Sequence, residues 1–113
     1  MTLLQKLTKE QIDPYFQEWA DLQRKLEQMH KNRDAEVEKW MRKGLVLYKQ
    51  LVAHCEDSTI DKKLEPINGK ERLAFIEKRP EIFVSYCQLQ ELFVEMKKII
   101  AGTRTKIKNR PNQ

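Results

Sequence analysis

Apolar residues in this chain return every three or four positions, and that rhythm predicts helices along most of its length. The clearest run is Val37, Trp40, Met41, Gly44, Leu45, Tyr48, Leu51, Val52 and Cys55. Its steps are all one, three or four, so these side chains form one stripe of about five turns. Ile82, Tyr86, Leu89, Phe93, Met96 and Ile100 make a second stripe, widened by Leu92 and Ile99. Phe16, Trp19, Leu22, Leu26 and Met29 make a third.

The residues between the stripes set the predicted limits. Asp13-Pro14 reads as a helix start, with Asp as cap and Pro at the first position, where its missing N–H costs nothing. That predicts a helix over 14–30, preceded by a short arm with a weak Thr8/Gln11 capping pattern. The polar break Lys31-Asn32-Arg33-Asp34 supplies Asn or Asp as the next cap, and a second helix spans 34–55. Residues 56–69 form the one long connection. Asn68, with Glu71 three positions on, reads as the cap of a short helix over 70–78 that carries Leu73, Phe75 and Ile76. Pro80 ends it and opens a last helix over 80–101, with Gly102 as its stop.

Three long helices with one apolar face each are buried most simply in a bundle. The expected fold is all-α: a single-domain antiparallel helical bundle of about four helices over residues 1–101, followed by a basic flexible tail over 102–113. Gly44 lies on the richest stripe, where it costs about 1 kcal/mol of helix propensity, so it implies close approach of a neighbouring helix. Trp19, Trp40, Phe83 and Phe93 fall on apolar faces and are assigned to the core rather than to base stacking. Tyr15 and Tyr48 are candidates for a partner surface. Leu22, Leu47, Val84 and Leu92 lie off the main stripes, and this surplus apolar surface keeps a homodimer open.

Composition narrows the function classes. The 113 residues suit one domain, and charged residues at 35% with only three glycines and four prolines fit helices with solvated outer faces. No apolar run approaches a membrane span, and the leucines near Met1 are too few for a secretory leader, so a cytoplasmic protein with reduced thiols is expected. His30, His54, Cys55 and Cys87 lack the paired spacing of a zinc site. No glycine-rich phosphate loop, activated cysteine or Glu-x-x-His pattern is present. Carboxylates alternate with Lys and Arg, as Glu38 with Arg42 and Glu91 and Glu95 with Lys98, which reads as exposed pairing. No catalytic, cofactor or metal residues are assigned, and a non-enzymatic protein is expected.

Charge is uneven. All 17 acidic residues lie at or before Glu95, whereas Lys97, Lys98, Arg104, Lys106, Lys108 and Arg110 follow with no acid among them. These six are the candidate contacts to a nucleic acid or an acidic partner, read as a flexible arm.

Certain residues also carry a family likeness. Arg72-Leu73-x-Phe75, Arg79-Pro80, Phe83, Tyr86, Gln88-Leu89, Leu92-Phe93, Glu95 and Lys97-Lys98 resemble the C-terminal signature of YpoC-like proteins. Arg33-Asp34 and Met41-x-Lys43-Gly44, leading into Leu45 to Leu51, are similar as well. The likeness spans roughly residues 16–101 and leaves the basic end outside. It implies a small all-helical protein of Gram-positive bacteria, with no activity to carry over. Family members tend to be encoded near replication and repair genes, which implies a nucleic-acid context. The expected function is a protein–protein interaction or adaptor module with an unidentified protein partner. The alternative is a nucleic-acid-binding accessory protein that uses the basic tail.

Overall fold

A computed structural model describes residues 1–57 and 63–109. The elements are α1 (Leu3–Lys6), α2 (Lys9–Lys31), α3 (Val37–His54), α4 (Gly69–Lys78) and α5 (Phe83–Lys108), with no strand among the described residues. Helices α3 and α5 both run antiparallel to α2. Tyr15 meets His54 at one end of the α2–α3 pair, while Glu27 meets Tyr86 and Leu7 meets Arg104 at the two ends of the α2–α5 pair. Helix α4 lies antiparallel to α5, and the body measures 57 × 26 × 19 Å. The all-α bundle expected from the periodicity is the fold observed.

Helix α2 begins five residues before the predicted start and carries Pro14 inside it. A proline inside a helix costs about 3 kcal/mol through its lost hydrogen bond and ring clash. The earlier start places Ile12 one turn before Phe16 on the buried stripe, with Leu7 packed just ahead of it, at 3% and 0% exposure. Two buried aliphatic side chains contribute about 1.5–3 kcal/mol each, enough to offset the proline. The arm before α2 is ordered too. Its capping box joins Thr2 to Gln5; the Thr8 side chain, at the predicted box, instead donates to the Gln5 carbonyl.

The α2–α3 turn is a Schellman motif. Arg33 takes φ 49°, its N–H reaches the His30 carbonyl and the Asp34 N–H reaches the Met29 carbonyl. Asp34 then accepts from the Glu36 N–H at 2.8 Å, so α3 starts at Val37, three residues later than predicted.

Gly44 sits where α3 crosses both α2 and α5. A Cβ there would lie 3.0 Å from Leu89 Cδ2 and 3.1 Å from Trp19 Cζ3, which accounts for a glycine on the buried stripe. Trp19 stacks on Phe93 at 4.3 Å and donates Nε1–H to Gln90 Oε1, joining α2 to α5 through the core. Leu47 and Leu92 are buried and Leu22 packs against the core. Of the four residues read as surplus apolar surface, only Val84 stays exposed. Tyr48, a candidate for the surface, is buried at 1% exposure.

Two helix ends depart from expectation. Pro80 ends α4 but does not open α5: residues 79–82 form a turn in which Pro80 is buried, closed by Ser85 Oγ donating to the Arg79 carbonyl at 2.6 Å, and α5 starts at Phe83. At its far end α5 passes through Gly102 to Lys108, where the sequence had predicted a stop and a flexible tail. The reason is packing. Ile107 lies against the core, and Arg104 Nε donates to the Leu7 carbonyl at 2.7 Å.

Candidate functional site

Because α5 continues, Lys97, Lys98, Arg104, Lys106 and Lys108 stand on a helix and not on a loose arm. At about 100° per residue, Lys97, Arg104 and Lys108 fall within roughly 40° of one another on one face. Lys98 and Lys106 point elsewhere, and Arg110 lies outside the described residues. The Lys97–Arg104 face meets the first turns of α2. The two helices form a cleft of about 270 Å³ lined by Lys9, Asp13, Lys97 and Arg104 over a floor of Ile12, Phe16 and Ile100. Lys97 Nζ lies 5.6 Å from the centre of the Phe16 ring. Arg104, which lines the cleft, is tethered through Nε to the Leu7 carbonyl, so its terminal nitrogens are not used by that bond. Lys9, the α2 member of this cluster, was not legible from the charge count.

A second cleft lies between α4 and α5, lined by Asn68, Glu71, Arg72, Phe75 and Gln88. Asn68 holds the N-cap position of α4 as predicted, but in the left-handed region at φ 57° and without a side-chain capping bond. Arg72 is the central cation. It bonds both Glu95 oxygens, at 3.0 and 2.5 Å, and lies 3.7 Å from Glu91. The Glu91 and Glu95 carboxylates are thus drawn across to α4, not only along their own helix. Hydrogen bonding to Arg72 holds the Glu95 carboxyl below its usual range, and the same bond pushes Arg72 up. Phe75 at its wall is 48% exposed, Ile67, which precedes Asn68 in the chain, 82%, and Val84, one turn before Gln88, 52%.

A third cluster closes the far end of the bundle. Phe83, assigned to the core by its position, is 56% exposed, and its ring stands edge-on to His30 at 5.3 Å. His30 Nε2 is buried with no hydrogen-bond partner among the described residues, and desolvation lowers its pKa. Tyr86, packed against both rings, donates its phenol to Glu27 at 2.7 Å. Trp40 is half-buried and covered by Lys25 and Lys43, at 3.2 and 3.9 Å from its ring centre, so its face is occupied within the chain.

Among the described residues, no group of three His, Cys, Asp or Glu side chains is placed to hold a metal ion. Cys55 is buried, and desolvation pushes its thiol up to about 11; both cysteines are free. No helix among the described residues is long and apolar enough to cross a membrane.

The profile of the family described as YpoC-like protein matches residues 9–108. The chain belongs to the YpoC-like family. The match begins at the first residue of α2 and ends at the last of α5. The YpoC-like region therefore takes in the basic end of α5, which the likeness read from the sequence had left outside. No curated protein and no solved structure matches the chain.

Proposed function

We propose that this protein is a non-enzymatic interaction module that receives a segment of a partner protein in the α4–α5 cleft. One observation carries the reading: Phe75 stays exposed in the lining of a cleft whose cation is already neutralised, and Ile67, next to Asn68 in the chain, and Val84, one turn before Gln88, are exposed as well. Arg72 is bound to Glu95 and lies 3.7 Å from Glu91, so Glu71 in the lining and the largely exposed Glu91 beside Arg72 are the carboxylates a partner can still reach. Lys78 lies about one turn beyond Phe75 and limits the acidic stretch on that side. The matching partner is a segment with an apolar anchor and flanking Lys or Arg. Apolar burial supplies affinity there and carboxylate contacts set the register.

The experiment uses two baits, the full chain and its Phe75→Asp/Val84→Asp form, against proteins of the source cell. Both substitutions fall on exposed positions, so the fold is expected to survive, and circular dichroism checks this. The expected result is a captured protein lost at least tenfold with the variant and competed away by a synthetic peptide from its own basic, apolar-anchored segment. Equal capture by the two folded baits would refute the cleft as the docking site.

A further inference from the structure

The cleft between α2 and α5 is a different surface, and its charge needs a separate account. We propose that it binds the phosphate backbone of a nucleic-acid strand, with Lys9, Lys97 and Arg104 as phosphate contacts and Lys108 extending the row.

Lys106 and Lys108 alone are explained by the last turn of α5, where cations complement the negative end of the helix dipole. That effect falls off within a turn, so it does not reach Lys97. It also opposes Lys9, which is the first residue of α2 and sits at the positive end of that dipole. Among the described residues, Asp13 is the only acidic one lining the cleft, against three cations. Such a gathering of like charge weakens the free protein and is relieved by a bound anion.

The form of the row selects the anion. From Lys97 to Lys108 the helix rises about 16 Å, too far for one phosphate group but suited to successive phosphates of a strand. Arg104, oriented by its bond to the Leu7 carbonyl, offers the planar fork that pairs with phosphate oxygens; the lysines act as point charges. Nothing in this arrangement reads base edges, and Trp40, the half-buried indole, is already covered by lysines. Binding should therefore be independent of sequence and steeply dependent on salt.

The test measures anisotropy of labelled single-stranded and duplex oligonucleotides with the full chain between 50 and 200 mM salt, with tripolyphosphate as competitor. Lys9, Lys97 and Lys108 are exposed, so Lys9→Gln/Lys97→Gln/Lys108→Gln is expected to keep the fold. The native chain should bind with a log–log salt slope of about −3, from three to four contacts at about −0.7 to −0.9 each. The triple variant should lose at least tenfold at 50 mM salt and flatten the slope by about two. Phe75→Asp/Val84→Asp should bind as the native chain does, which separates this proposal from the α4–α5 reading. No binding at 50 mM salt, or an unchanged salt slope in the triple variant, overturns the proposal. Displacement by tripolyphosphate at equal phosphate concentration also overturns it, in favour of a small phosphate compound.

Discussion

Arg72 on α4 holds both carboxylate oxygens of Glu95 on α5, and it is the strongest polar tie between those helices. The Glu95 side chain is 41% exposed, so solvent screens the pair and its net contribution is about 1 kcal/mol. Arg72→Met should cost about that much by chemical denaturation. The Glu95 carboxyl is held below its usual value, so the stabilisation is complete above the unfolded carboxylate value, about 4.5, and is lost as pH falls through the native value. In Arg72→Met this part of the acid destabilisation should disappear. An unchanged pH profile would mean that the pair is not formed in solution.

His30 supplies a second pH dependence, in a different window. Burial lowers its pKa from 6.5, so on acidification the unfolded chain takes up the proton first. Stability should therefore fall as pH drops from about 6.5 toward the lowered native value. His30→Gln should flatten that segment, as read by thermal melting at closely spaced pH values.

Glycines 44 and 102 should respond in opposite directions. Nothing lies within 4 Å of a Cβ at Gly102, inside α5, so Gly102→Ala should stabilise by about 0.5–1 kcal/mol. Had α5 ended there with the glycine in a left-handed cap, the same change would destabilise. At Gly44 the Leu89 and Trp19 side chains stand in the way, and Gly44→Val should cost about 2–3 kcal/mol through overpacking. Denaturant midpoints of the two variants decide both.

Truncation after Ala101 should destabilise the whole bundle. It removes Ile107 from the core and leaves the Leu7 carbonyl without the Arg104 donor. The expected loss is about 2–3 kcal/mol, from one apolar side chain and one charge-assisted bond. A truncated chain as stable as the full one would mean that the last two turns of α5 do not pack.

The bundle was legible where local pattern and tertiary packing agree. The stripe from Val37 to Cys55 predicted α3 almost to its ends, and Gly44 announced the close crossing. Legibility failed where a distant contact overruled a local signal. Asp13-Pro14 is a good start signal by propensity, but Ile12 and Leu7 gain more by packing on the core. Gly102 is a good stop signal, but Ile107 and Arg104 find partners on the first elements of the chain. The candidate sites show the same division. The run of cations after Glu95 was visible in the charge order, whereas Lys9 joins it only through the antiparallel pairing of α2 with α5. The α4–α5 cleft was legible only in part: Val84 stood off the main stripes, whereas Phe75 fits a helical pattern that would equally well bury it.

The bond from Arg104 to the Leu7 carbonyl spans 97 positions of sequence. During synthesis, at about 5–20 residues per second, Leu7 waits about 5–20 s for that donor to be added. Helices α2 and α3 can pair early, as a hairpin with a short turn. Lys6 can already reach the Glu56 carbonyl and His54 Nε2 at the end of α3, so only the Leu7 carbonyl is left to water until the chain is nearly finished. A nascent chain stalled before residue 104 should therefore hold its first segment by the Lys6 contacts to α3 alone, and lose that protection when His54 is replaced by Ala.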